Sequence, residues 1–140
     1  MAANPKLLRW WLFAGAGLLF VVAFVIAAGV ILPVRADQFP HATPELAVRA
    51  FWVVVALHLL TGTAVLLIAI KTTIGGSIVR VVLAVLAILI LLFGLVLSDA
   101  AFALYGHGVG MRVADIFLFA CVAADLGACL LVGATAVRCP

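Results

Sequence analysis

Between Trp10 and Leu32 no charge interrupts an apolar run, and three more predominantly apolar runs follow, separated by short segments rich in proline, glycine and charge. A hydrocarbon layer about 30 Å thick is crossed by roughly 20 residues of helix. The pattern therefore predicts four spans, at about residues 10–32, 44–70, 79–103 and 112–137, joined by loops at 33–43, 71–78 and 104–111. Residues 1–140 are expected to form one all-α integral membrane domain, four transmembrane helices in an antiparallel, up-down-up-down bundle.

The span ends carry their own signals. Met1 to Leu8 reads as a short polar tail, and Trp10 and Trp11 favour the headgroup level. Pro33 closes span one. Thr43-Pro44-Glu45 opens span two: a threonine oxygen can accept from a free helical N–H, proline loses nothing at the first helical position, and glutamate complements the positive end of the dipole. Gly75 and Gly76 make a tight hairpin after Lys71, and Gly106, His107, Gly108 and Gly110 form the turn before span four. Lys6 and Arg9 ahead of an apolar core, with small residues at Val34-Arg35-Ala36, are also features of a secretory signal. The core exceeds the roughly 7–15 residues usual for a cleaved one, so the segment is read as a span.

Small residues suggest which faces pack. Gly15, Gly17, Ala23 and Ala27 would allow close approach along span one. On span three Ala84, Ala87, Gly94, Ser98 and Ala101 keep within about a third of the circumference at 100° per residue, continued by Tyr105. That stripe is expected to face another helix.

Composition agrees with a bilayer setting. The chain is 69% hydrophobic and 9% charged, against roughly 45–50% and about 25% in soluble domains, and its mean hydropathy is +1.48. The net charge of +3 comes from eight Lys and Arg placed singly, whereas a nucleic-acid surface needs a clustered basic face. Lys6, Arg9, Lys71, Arg80 and Arg138 fall on the side of both termini, and Arg35, Arg49 and Arg112 on the other. Because cytoplasmic flanks are enriched in Lys and Arg, both termini are expected in the cytoplasm. Cys121 and Cys129 are about 12 Å apart along a helix, beyond the roughly 7 Å limit for a disulfide. Cys139 beyond span four is a candidate for palmitoylation, although an unmodified juxtamembrane cysteine is the commoner case.

Two polar groups remain to be housed. His58 and Asp125 fall near the middle of spans two and four. An ionised side chain there costs several kcal/mol, so such residues usually turn inward and find partners. A neutral histidine with a protonated aspartate, or the hydrogen-bonded ion pair, would satisfy both. The alternatives are a proton-accepting or cation-binding pair and an interhelical bond that only fixes packing. The second group, Glu45, Arg49, Asp99, Arg112 and Asp115, gathers at the surface away from the termini. Glu45 and Arg49 can pair at i, i+4, and Arg112 with Asp115 or Asp99; a charge network capping the bundle is favoured there over a substrate site. Arg49 lies roughly opposite His58 on span two, so one face cannot serve both groups.

No cofactor is indicated. Metal binding needs several converging ligands, and Cys121–Asp125–Cys129 spans too much axis for one ion, while His41, His107, Asp37 and Asp99 meet only if both outer loops fold together. Lone His58 is weak evidence for haem. G-x-S-x-G, H-E-x-x-H, phosphate-binding glycine loops and paired C-x-x-C are absent from the sequence. The plan of four spans and short loops resembles that of MARVEL-type tetraspan proteins and of small membrane-bound oxidoreductase subunits, without a diagnostic motif of either. The reading favoured on this basis is a non-enzymatic accessory, scaffold or assembly subunit, in contact with lipid and with other membrane subunits or its own copies. The alternatives are an oligomeric proton- or cation-coupled transporter or channel using His58 and Asp125, and a small enzyme acting on a lipidic substrate at the charge cluster.

Overall fold

The computed structural model describes residues 4–31, 44–71, 73–105 and 113–139. Helix α1, Pro5–Val25, continues as a π-helical segment over Ile26–Ile31; α2 spans Pro44–Lys71, α3 Ser77–Tyr105 and α4 Val113–Arg138. All four are long and apolar enough to cross a membrane, and no strand occurs among the described residues. The protein is an all-α four-helix membrane bundle.

Local chemistry sets the helix ends. Asn4 caps α1, its side-chain oxygen accepting the Lys6 N–H at 3.0 Å, and Pro5 fills the first helical position. The polar tail expected up to Leu8 is therefore helical from Pro5 onward, because a good cap extends a helix beyond its apolar run. Between α2 and α3, Gly76 turns the chain with φ of +103°, a conformation that glycine adopts without a Cβ penalty. The π-helical segment passes close to α4. A Cβ on Gly29 would come within 2.7 Å of the Phe117 ring, so the approach depends on that glycine.

Each helix buries one seam whose members alternate three and four residues apart: Leu12, Gly15, Leu19, Val22 and Ile26 on α1 and its extension; Phe51, Val55, His58, Gly62, Val65 and Ala69 on α2; Leu83, Ala87, Ile90, Gly94, Leu97 and Ala101 on α3; and Leu118, Cys121, Asp125, Ala128, Val132 and Thr135 on α4. This is the spacing of ridges-into-grooves packing at shallow left-handed crossings. The stripe expected on span three largely follows this seam, with Ala87, Gly94 and Ala101 buried and Ser98 half-buried, and departs from it at one end. Ala84 is exposed while Leu83 is buried, and Gly17 is exposed while Gly15 is buried. The seven-residue repeat, rather than side-chain size, selects the buried face; the side chain of Tyr105 lies outside the described residues.

The sides of the bundle close unequally. Helix α1 packs along both α2 and α4, and α3 packs closely along α4, whereas α2 and α3 touch only lightly. The core falls into two apolar halves, one around Leu12, Val65, Leu83 and Val132 and the other around Val22, Val55, Leu97 and Leu118. Between them lies a thin layer containing His58, Thr61 and Asp125, all buried.

Candidate functional site

His58 sits midway along α2 and Asp125 midway along α4, each at a seam position, so the bundle turns both inward and leaves each 0% exposed. The histidine Nε2 stands 3.0 Å from both carboxyl oxygens of Asp125. Nδ1 lies 2.8 Å from the Val54 carbonyl oxygen, one turn back on the same helix. A carbonyl can only accept, so Nδ1 carries a hydrogen and donates it. Nε2 and the carboxyl group then share a single proton. Either neutral histidine accepts from protonated aspartate, or imidazolium donates to carboxylate, and the pair is neutral in both states. Neutrality as a unit lets a carboxyl group reside at this depth, since one unpaired charge would cost several kcal/mol.

Side chains of α3 and of the pair's own helices surround it. From α3 the Phe93 ring lies against the imidazole, 4.9 Å between centroids and tilted by 40°. Gly94 stands behind Asp125, where an added methyl would be 3.5 Å from the aspartate Cβ. Thr61, a turn beyond His58, donates its hydroxyl to the Leu57 carbonyl at 2.8 Å and is thereby satisfied on its own helix. The two thiols flanking Asp125 turn to other backbones: Cys121 towards the Val22 carbonyl at 4.0 Å, a long contact, and Cys129 towards that of Ala87 at 3.3 Å. They do not converge on one point with the carboxylate. Among the described residues no three His, Cys, Asp or Glu side chains gather as metal ligands.

Set against protein families, curated proteins and solved structures, the chain matches none of them.

The residues expected to form a charge cluster at the far surface differ in exposure. Glu45 and Arg49 are exposed and form no ion pair with each other among the described residues. Asp99 is exposed on α3, and Asp115 is 0% exposed because it falls three residues before Leu118, in the seam of α4. Arg112 lies outside the described residues, as do Arg35, Asp37, His41 and His107. Cys139 is buried in the apolar half beside Leu8 and Ile74, so acylation there requires the end of α4 to lift out of the bundle.

Sequence reasoning missed Phe93 and the Val54 anchor. Nothing about a phenylalanine in an apolar span marks it as a ring partner, although the carbonyl four residues before a helical histidine is always within reach. It also missed the lattice at the basic end. Arg9 Nη1 donates to the Ala69 carbonyl at 3.2 Å, Arg80 donates to the Cys139 carbonyl, and the Arg138 guanidinium lies 4.9 Å from the centre of the Trp11 ring. Cations thus meet the ends of α2 and α4, where helical carbonyls lack partners and the dipole is negative.

Proposed function

We propose that this small membrane protein is an accessory or assembly subunit, binding other membrane helices in lipid, with the His58–Asp125 pair holding its own fold for that task. The observation that supports this reading is the unequal closure of the bundle. Three sides are packed helix on helix, while α2 and α3 barely touch, and α2 is tied across the bundle to α4 by the buried pair. Such a chain keeps its shape while offering a lightly closed side to a neighbouring helix. On α3 that flank carries Leu86, Phe93 and Ala100, each half-buried, as though the packing there were incomplete.

A photo-crosslinking residue at Leu89, on this flank, should capture a neighbouring membrane protein in native membranes, and one at Leu130, on the outer face of α4, should not. Equal labelling from both positions, together with a homogeneous monomer in mild detergent, would remove the reading. The basic end is assigned to the cytoplasm on charge bias, which accessibility labelling of Lys71 from either side would test.

A second reading is favoured by one specific observation, the 3.0 Å approach of Nε2 to both carboxyl oxygens of Asp125, close enough for one proton to pass between them. In it the pair exchanges that proton as part of a transport cycle, with several copies supplying the path. Asp125→Asn keeps the side-chain size and hydrogen bonding and removes ionisation. Loss of proton-coupled flux in vesicles with assembly intact would establish this reading, and unaltered activity in the variant would end it.

A further inference from the structure

The basic end of the bundle holds five cations, Lys6, Arg9, Lys71, Arg80 and Arg138, distributed over the ends of all four helices. Among the described residues the acids lie elsewhere: Glu45 and Asp115 open α2 and α4 at the opposite end, Asp99 is near that end of α3, and Asp125 is at mid-depth. From Arg138 to Asp125 is about 20 Å along the helix axis, two Debye lengths at physiological salt. No Asp or Glu among the described residues lies at this end.

Two of the cations are each held by a contact at the end of α4. Arg80, exposed in the first turn of α3, reaches the last carbonyls of α4 by donating to Cys139, and Arg138, exposed on α4, rests over Trp11 of α1. They bracket the end of α4 from its α3 side and its α1 side. The bond to Cys139 engages one nitrogen of Arg80, and a guanidinium has five N–H donors in a planar fork suited to phosphate oxygens. Trp11 belongs at the headgroup boundary, which sets the depth of the Arg138 guanidinium at the level of lipid phosphates. We propose that Arg80 and Arg138 form a binding site for the phosphate of an anionic phospholipid beside the end of α4, where their two positive charges outweigh the roughly half-unit negative charge of the helix end, while Lys6 and Lys71 add only diffuse attraction.

The test uses the full chain in detergent, titrated with phosphatidylglycerol or phosphatidylcholine and read by native mass spectrometry. The intact protein should retain phosphatidylglycerol at least tenfold more tightly than phosphatidylcholine. R80Q/R138Q should lose that preference with its helical content unchanged, and K6Q/K71Q should keep most of it. If the double arginine variant does not fold, R138Q alone carries the test, since it leaves the Arg80 bond to α4 in place, and it should weaken phosphatidylglycerol retention several-fold. Equal retention of the two lipids, an undiminished preference in the folded arginine variant, or an equal loss in K6Q/K71Q would overturn the site. Displacement of the lipid by millimolar inorganic phosphate would show a simple anion site and overturn the lipid assignment.

Discussion

Helix α3 meets α4 along its whole buried seam but only brushes α2, and the two contacts are built from different materials. Towards α4 it presents small residues at seven-residue intervals: Ala87 against Gly133, where an added Cβ would stand 3.7 Å from that of Ala87, and Gly94 against Asp125. Small surfaces let backbones approach, and in lipid, where apolar burial gives little, close dispersion contact is what holds helices together. Towards α2 it offers half-buried Leu86 and Ala100 with the Phe93 ring, and the main constraint on α2 from that half of the molecule comes from the histidine–aspartate bond to α4. One side is held by fit over many residues, while beside the other α2 is tied by one polar bond that passes across to α4. The first should respond to added volume, the second to lost chemistry.

The largest expected effect follows from wedging the fitted side. Ala87→Leu places a large side chain against Gly133, and overpacking of this kind costs about 3 kcal/mol; titration with a denaturing detergent, followed by helical circular dichroism, would read it. Similar stability to the parent would mean that α3 and α4 are not closely fitted. Next comes Asp125→Ala, which leaves a buried imidazole nitrogen unsatisfied at about 2 kcal/mol and should let α2 move away from α4, an increase visible by spin-label distances between the two helices. Asp125→Asn should cost less than about 1 kcal/mol, since its amide can donate to Nε2 and transmembrane hydrogen bonds average about 0.6 kcal/mol. A loss as large as that of the alanine variant would show that charge, rather than the hydrogen bond, ties α2 down. The smallest effect is expected from Leu86→Ala on the light side, about 0.5 kcal/mol, with a loss comparable to Ala87→Leu erasing the contrast between the sides.

Much of this architecture is legible in the sequence because apolarity is a property of each residue in turn. The four runs, the start of α2 at Pro44 with Glu45 in its first turn, and the turn at Gly76 need no knowledge of neighbours, while the Thr43 cap lies outside the described residues. Depth is legible too, which brings His58 and Asp125 to the same level. What a linear chain does not display is which helices stand side by side, so the bond that joins two non-adjacent spans emerges only once α1 is seen to lie along both α2 and α4. Of the described residues in the stripe expected on α3, Ala84 alone falls on an exposed face, for a related reason. Ala84 and Leu83 differ by 100° on a helix, and the choice between them depends on a seven-residue register fixed by partners on α4. Asp115 shows the same effect: its charge suggests the surface, and its place in the seam before Leu118 puts it inside.

The division of the core by a polar layer also bears on how the chain is made. Synthesis delivers α2 well before α4, so His58 is already in the bilayer when Asp125 arrives. An aspartate at the centre of a lone helix opposes insertion by about 2.5–3.5 kcal/mol, and a waiting imidazole gives it a partner at the moment of entry. Of the four helices, α4 is thus the one whose membrane entry would be helped by an earlier one, with His58 as the partner that lowers the cost of its aspartate.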